Sequence, residues 1–480
     1  MKKTMIIILL FLLLGCSNET GQWKNGFVKK LEEFNAKHSQ FNLVNLDYHF
    51  YQSIDRGDPF TEEEMIRLSE DTTIKPFLSM EEAIEDIEFY FKSLKYYYAG
   101  YEQFGGDEWF NGAKRKIISY INEENDKIDV RKLTKEMLKA TSFVNDNHFT
   151  INRQRSNASS IYFSNEVIEF IKIEDYFIDK VNQRKVVAVN GSKDVDNYFN
   201  LSLNSEGELT YYFGVLLKEY PRNDYIVSYE DRSSDSIKVS APYRKNKSEY
   251  SEDLDAEIPK VQIGSMFFEY GSNSELASDF LQSANKLKNE EVAILDLRNN
   301  VGGNGLLPSK WINNFLGLKV FLNGKGIYIS DIDINDASHG NGELSQDMSE
   351  VAEYMSLYKL NGRGIYRLND QYNQFVHNKV KLFVIMNSGS GSAAEYMIDL
   401  LHNVENVIFV GSNSAGCLVG SAAYDFHLPN SRINFSFGNM FRSYDTNYFK
   451  EFEGFKPDIY SNAEEIDELI LKYVNKNRTL

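Results

Sequence analysis

The chain has 480 residues and a net charge of −18, and 42% of its residues are hydrophobic. That length predicts two or three domains, and the hydrophobic content excludes wholesale disorder. The acidic balance argues against nucleic acid as a partner, because phosphate binding needs clustered Lys and Arg. It argues equally against electrostatic docking on anionic lipid.

The first residues have the pattern of an export signal. Lys2 and Lys3 precede an apolar run over residues 5–14, which as a helix rises only about 15 Å and cannot cross a bilayer core of roughly 30 Å. The run ends in Leu-Leu-Gly-Cys at Cys16, which resembles a bacterial lipoprotein signal. The resemblance implies a signal peptide over residues 1–15 and an acylated Cys16 anchored in the lipid bilayer of the cell envelope, on its periplasmic or cell-surface face. An ordinary secretory signal with a chance cysteine is the alternative.

Residues 16–148 predict a helical region. Ser79, followed by two glutamates, has the pattern of an N-cap, and apolar residues then recur at helical spacing through residue 94. A second helical pattern covers residues 130–143. A cluster of tyrosines over residues 97–101 favours packing over a binding role.

Residues 149–245 predict a small β-rich subdomain. Residues 186–191 indicate a strand entering an Asn-Gly turn, and residues 225–239 indicate a hairpin. The subdomain is interpreted either as PDZ-like or as a diverged β module without a peptide groove. The highly charged residues 244–257 predict a linker.

Residues 258–475 predict an α/β domain in which strands and helices alternate. Continuous apolar runs at 292–297, 381–386 and 407–411 indicate strands buried on both faces. A helix over residues 392–402 between the last two predicts a β-α-β unit. Residues 326–378 are polar and irregular, as in a lid or a partner surface.

Two segments at the ends of these strands have the residue types of a reactive site. Ser392 lies in Asn-Ser-Gly-Ser-Gly-Ser-Ala-Ala-Glu, between a strand and a helix. A serine at a helix start lies near free backbone N–H groups, which favour negative charge. Gly302 and Gly303 lie in Asp-Leu-Arg-Asn-Asn-Val-Gly-Gly, where glycines free N–H groups for an oxyanion. A plain N-cap and a tight turn are the structural alternatives.

Together these segments resemble the tail-specific (carboxyl-terminal processing) and tricorn core serine peptidases. The resemblance covers residues 258–470 and implies a crotonase/ClpP-like α/β catalytic domain. It assigns Ser392 as the nucleophile. It assigns the oxyanion donors as the N–H groups of Ala393 and of Gly302 or Gly303.

The sequence departs from the tail-specific branch at the general base. That branch has a lysine where this chain has Cys417, and a thiol cannot replace a desolvated amine as the base. Asn-Asp-Asn-His at His148 resembles the tricorn-like branch, in which histidine is the base, and Glu451 matches that branch's catalytic glutamate. The fourth role belongs to a serine in that branch, and here its position is Asn147.

The sequence therefore predicts a Ser-His-Glu peptidase, formed by Ser392, His148 and Glu451, that acts on peptides or proteins. The alternatives are an inactive homologue that binds peptides, a structural envelope lipoprotein and a peptidase that uses Cys417 as nucleophile. A crotonase-type acyl-CoA enzyme conflicts with an export signal. No cofactor is needed, and no metal is expected, because the other histidines lack ligand spacing such as His-x-x-x-His.

Overall fold

The computed structural model describes residues 23–40, 50–55, 60–61, 64, 73–124, 127–242, 249–267, 275–320, 322–323, 325–330, 364–368 and 375–479. The predicted signal peptide with Cys16 lies outside the described residues, as does most of the predicted lid over residues 326–378. In the described part of the chain, no helix is long and apolar enough to cross a membrane.

The N-terminal region is mainly helical, as the sequence predicted. Its elements are α1 (Asn25–Ser39), β1 (Phe50–Asp55), β2 (Phe77–Leu78), α2 (Met80–Tyr97), α3 (Gly106–Glu123), β3 (Ile128–Asp129) and α4 (Val130–Ala140). Ser79 caps α2, since its side chain accepts from the Glu82 N–H and Glu82 accepts from the Ser79 N–H. Tyr97, Tyr98 and Tyr101 are buried, so these tyrosines pack in the core.

The β-rich region contains the predicted strands and hairpin. Its elements are β4 (Thr150–Ile151), β5 (Ile161–Ile173), β6 (Tyr176–Asp179), β7 (Val186–Val189), β8 (Phe199–Leu203), β9 (Leu209–Leu217), β10 (Tyr225–Tyr229) and β11 (Ser234–Ile237). Strands β10 and β11 form the hairpin, and β7 pairs with β10. Asn190 and Gly191 both have positive φ angles, as the Asn-Gly turn requires.

The C-terminal region alternates strands and helices. Its elements are β12 (Tyr250–Asp253), β13 (Lys260–Ile263), α5 (Glu275–Leu287), β14 (Val292–Asp296), α6 (Leu306–Leu316), β15 (Lys325–Ser330), β16 (Gly364–Leu368), β17 (Lys381–Met386), α7 (Ala393–Leu401), β18 (Val407–Gly411), β19 (Gly420–His427), β20 (Asn434–Ser443), β21 (Ile459–Tyr460) and α8 (Ile466–Asn477). Parallel pairing of β17 with β18 confirms the predicted β-α-β unit around α7.

Part of the predicted linker is a strand. Within residues 244–257, β12 pairs antiparallel with β13 at the edge of the sheet. Its charges fit that position, because an edge strand faces solvent and charged residues protect it from further pairing. Glu252 also forms an ion pair with Lys286 of α5.

One large mixed sheet carries the α/β fold. Among the described residues its ten strands run in the order β12-β13-β14-β17-β18-β21-β8-β9-β5-β6, and β13 to β8 are parallel to one another. Helices α5, α6 and α7 pack on one face, while α1 and α8 pack on the other. The strands β5, β6, β8 and β9 of the β-rich region thus extend the sheet of the C-terminal region. The mixed α/β class expected from the sequence is confirmed.

A second sheet pairs strands from the N-terminal part of the chain with strands of the C-terminal region. It runs β1-β16-β15-β20-β19, with β4 pairing β20. Helices α2, α3 and α4 share a core with the phenylalanines of β19 and β20. Because β4 begins two residues after His148, this pairing fixes the loop that carries the imidazole.

Candidate active site

Ser392 lies where β17 turns into α7. Its φ and ψ angles are 52° and −117°, a conformation that is strained for a residue with a Cβ atom. The Ser392 N–H donates to the Cys417 carbonyl oxygen at 3.1 Å. Residue 417 is thereby held beside the serine, and the strain marks Ser392 as a candidate functional residue.

The imidazole of His148 faces this serine. His148 Nε2 lies 3.2 Å from Ser392 Oγ, which is hydrogen-bond distance. The His148 N–H donates to Asp146 Oδ1 at 2.8 Å, and the His148 carbonyl oxygen accepts from Ser436 Oγ at 3.1 Å. Desolvation lowers the pKa of His148 below 6.5, although the charge of Asp146 opposes that shift. A neutral imidazole at physiological pH has the lone pair that a general base needs.

Glu451 is buried beside His148. Its carboxylate accepts from the backbone N–H groups of Asn147 at 2.8 Å, Leu418 at 3.1 Å and Val419 at 3.2 Å. A carboxylate oxygen of Glu451, a ring nitrogen of His148 and the sulfur of Cys417 all lie within 4.8 Å of one another. Burial raises the pKa of Glu451 well above its usual value, and the charge of Asp146 adds to the shift. The structure therefore places Glu451 next to the imidazole and binds it to the backbone of both flanking loops.

Asn147 and Cys417 mark the departures from the family pattern. The Asn147 side-chain amide donates to the Gly416 carbonyl oxygen at 2.8 Å and to Ser159 Oγ at 3.0 Å. Cys417 Sγ lies 3.5 Å from both ring nitrogens of His148. Burial raises the pKa of the Cys417 thiol well above its usual value. The thiol therefore keeps its proton and cannot act as a base.

Gly302 approaches the serine closely, whereas Gly303 lies against the backbone of Met266 and Phe267. A Cβ atom on Gly302 would lie 2.6 Å from Ser392 Cβ and 2.9 Å from the Ala393 nitrogen. The Gly302 N–H donates to Asn300 Oδ1 at 2.9 Å. Within the described residues, the N–H groups of Gly303 and Ala393 have no acceptor. Ala393 and Gly303 therefore remain the candidate oxyanion donors, and Gly302 supplies close approach instead.

Two further carboxylates support the site, and neither was assigned a role from the sequence. Glu395 accepts from Ser414 Oγ at 2.5 Å and from the N–H groups of Gly416 at 2.7 Å and Cys417 at 2.6 Å. Burial raises the pKa of Glu395 to about 7. Asp146 accepts from the Tyr98 hydroxyl at 2.9 Å as well as from the His148 backbone. In the sequence, the only signal for Glu395 was its place at the end of the Asn-Ser-Gly-Ser-Gly-Ser-Ala-Ala-Glu segment. The only signal for Asp146 was its place in Asn-Asp-Asn-His.

Comparison with known proteins gives one family. Residues 258–461 match the family model of peptidase family S41. Among solved structures, mature CPAF has 12% identity and a TM-score of 0.42, with 83% of this chain and 95% of that one covered. The photosystem II D1 C-terminal processing protease has 10% identity and a TM-score of 0.35, with 83% and 97% covered. The tricorn protease has 12% identity and a TM-score of 0.38, with 83% and 37% covered. No curated protein sequence matches the chain.

Proposed function

Because residues 258–461 match the model of peptidase family S41, in line with the resemblance of the motifs, we propose that the chain is a serine peptidase acting through an acyl-enzyme on Ser392. The observation that carries the proposal is the 3.2 Å contact between His148 Nε2 and Ser392 Oγ. These two residues lie 244 positions apart in the chain. Only the fold brings them together.

The geometry supports a two-step mechanism. Ser392 Oγ attacks the scissile carbonyl while His148 takes its proton, a transfer that contributes roughly 10²–10⁴ in rate. The Gly303 and Ala393 N–H groups then bind the oxyanion, each donor contributing about 10²–10³. His148 next protonates the leaving amine, and an activated water hydrolyses the ester.

Glu451 acts on the imidazole through space and through the backbone. Its carboxyl group lies beside the ring, and in its ionised form it favours the imidazolium that forms during the reaction. Its hydrogen bonds to Asn147, Leu418 and Val419 hold the His148 loop against the loop that follows Cys417. Asn147 contributes the bond to Gly416 instead of the hydroxyl found in the family.

The substrate proposed for this site is a peptide in extended conformation. The Met266 N–H donates to the Gly302 carbonyl oxygen, and the Asn304 N–H donates to the Met266 carbonyl oxygen, both at 2.8 Å. These hydrogen bonds lie within the chain and hold the turn. A substrate peptide would add beside them, along a strand edge. Phe267 and Val301 are 71% and 61% exposed next to this turn, and they offer apolar contacts to substrate side chains.

The test is hydrolysis of a quenched fluorescent peptide library by the purified chain, together with labelling by a serine-reactive phosphonate. We expect hydrolysis and a single labelled residue, Ser392, identified by mass spectrometry. Ser392→Ala and His148→Ala should each lose at least about 10³-fold in kcat/KM. Ser388→Ala, in the same loop, is the matched control and should retain activity.

A second candidate is an inactive homologue that binds peptides in the envelope. Asn147 and Cys417, which stand where the family has a serine and a lysine, favour it. A folded chain that neither hydrolyses the library nor takes up the phosphonate, yet binds peptides, would establish this alternative. Labelling on Cys417 in place of Ser392 would instead indicate a cysteine nucleophile.

A further inference from the structure

Three metal-ligating side chains from distant segments meet at the proposed base. The ligand atoms of His148, Cys417 and Glu451 all lie within 4.8 Å of one another. Their positions in the sequence, 148, 417 and 451, follow no ligand spacing, and the expectation of no metal considered only the other histidines. The fold has assembled a nitrogen, sulfur and oxygen donor set around one point.

The distances fit a tetrahedral ion. With Zn–S bonds of about 2.3 Å and Zn–N bonds of about 2.0 Å, tetrahedral zinc separates its sulfur and nitrogen ligands by about 3.5 Å. Cys417 Sγ lies 3.5 Å from both His148 ring nitrogens, so the imidazole must turn to aim one lone pair at an ion that the sulfur also binds. Ser392 Oγ lies 3.2 Å from Nε2, close enough to serve as a fourth ligand. Thiolate and imidazole donors select Zn²⁺ over Mg²⁺ or Ca²⁺, which prefer oxygen.

Charges around the cluster favour a cation. Asp146 accepts from the His148 backbone, and Glu395 accepts from the Cys417 backbone. Together with Glu451 these groups place three carboxyl side chains around the thiol and imidazole. Arg155, whose Nε donates to the Asn147 carbonyl oxygen, is the neighbouring cation. A divalent ion would compensate the carboxylates and the thiolate that its binding creates.

Glu451 retains capacity to bind an ion. A carboxylate offers about four lone-pair sites, and the three backbone N–H groups occupy three of them. Cys417 and Glu451 are buried, at 9% and 7% exposure, while His148 is half-buried. The cluster therefore opens to solvent at the imidazole, the side from which an ion can enter.

We propose that His148, Cys417 and Glu451 form an inhibitory Zn²⁺ site, with Ser392 Oγ or a water molecule as the fourth ligand. A bound ion takes the imidazole lone pair that must receive the serine proton. The inhibitory role rests on the proposed peptidase function, whereas ion binding itself does not. The lysine that the tail-specific branch has in place of Cys417 could not supply a thiolate.

The binding test uses the full chain freed of metal. Zn²⁺ affinity is measured by competition with a chromogenic chelator, and Co²⁺ is added separately to detect thiolate-to-metal charge-transfer absorption. We expect one equivalent of Zn²⁺ and a thiolate band. Cys417→Ala and Cys417→Ser should abolish the band and weaken binding by roughly 100-fold or more, since loss of even an outer partner of a ligand costs about 10- to 100-fold. His377→Ala removes an exposed imidazole paired with Glu405 and is the matched control.

The outcomes separate this proposal from the peptidase proposal. If the chain binds no Zn²⁺, or if both cysteine variants bind it as the unmutated chain does, the site is refuted whatever the activity. If Zn²⁺ binds as expected, hydrolysis should fall in proportion to occupancy. Zinc that increases hydrolysis would overturn the inhibitory role. A metal-free chain that hydrolyses nothing refutes the peptidase proposal, while the titration still decides the metal site.

Discussion

Ser392 and Gly302 show how close contact constrains single residues at the site. Ser392 has a strained backbone, and Gly302 lies against it with a φ angle of 101°. A side chain at residue 302 would meet both the serine Cβ and the Ala393 nitrogen. The strain and the absence of a Cβ atom together keep the Ala393 N–H accessible to substrate.

Gly302→Ala is expected to lower kcat/KM by roughly 100-fold or more, comparable to losing one oxyanion donor. The new methyl group would collide with Ser392 and displace the N–H of Ala393. Gly305→Ala is the control, since a Cβ atom there meets nothing within 4 Å. Steady-state kinetics on one library-derived peptide provides the comparison, and equal rates for the two variants would contradict the role of Gly302.

The pH dependence of hydrolysis should reflect the environment of His148. Desolvation lowers the pKa of His148 below 6.5. The imidazole therefore stays neutral, and kcat/KM stays high, from pH 6.5 down to the lowered pKa. Activity is then lost as the pH falls through the lowered pKa, because the protonated ring cannot accept the serine proton.

Two charge variants test this assignment. The charge of Asp146 raises the pKa of His148, and that of Arg155 lowers it. Asp146→Asn should move the acidic limb of the kcat/KM profile to lower pH, and Arg155→Gln should move it to higher pH. Shifts of both variants in the same direction would mean that the limb belongs to another group.

At the scale of elements, α1 is attached to the C-terminal region by buried contacts with the carboxyl group of Asp458. His38 Nε2 lies 3.1 Å from both carboxylate oxygens of Asp458, and Lys37 Nζ lies 3.0 Å from one of them. Burial raises the pKa of Asp458, but the charges of His38 and Lys37 outweigh it and hold the pKa well below its usual value. This pair therefore stabilises the fold at pH values above the unfolded pKa of Asp, and the contribution is lost as the pH falls through the folded pKa.

His38→Ala should lower the free energy of unfolding by about 1–3 kcal/mol, because the buried carboxylate loses one hydrogen-bond partner and keeps Lys37 and the Phe409 N–H. Amide hydrogens of α1 should exchange faster with solvent in this variant. Lys30→Ala, on the same helix but in an exposed pair with Glu33, should stay within about 0.5 kcal/mol of the unmutated chain. Denaturant unfolding and hydrogen exchange measure both, and equal effects would show that the buried pair is dispensable.

At the scale of the whole molecule, the β-rich region and the catalytic region share one sheet. Strand β21 pairs with β8 through Tyr460 and Ser202, so residues 149–245 are attached to the catalytic domain by backbone hydrogen bonds. The PDZ-like interpretation of this region remains a proposal, with the three-stranded sheet of β7, β10 and β11 as its candidate peptide surface.

The lipid anchor is also a proposal at this scale, and it has a direct test. Expressed in a bacterium, the chain should partition with membranes and incorporate labelled fatty acid. Cys16→Ala should lose the label and leave the membrane fraction. The unaltered Cys417 serves as an internal control, because it is buried. Membrane association of the unlabelled variant would show that another segment is the anchor.

By itself the sequence determined the α/β class, the β-α-β unit around α7 and the resemblance to a peptidase family, because buried strands and glycine-rich turns leave local patterns. It also nominated Ser392, His148 and Glu451 through short motifs. The edge strand β12 was missed, since its charges are also typical of a linker. Only the tertiary structure decided which glycine N–H is engaged and which groups donate hydrogen bonds to Glu395 and Asp146. It also decided that Cys417 contacts the imidazole. Those facts depend on distances between residues far apart in the chain, and no local pattern encodes them.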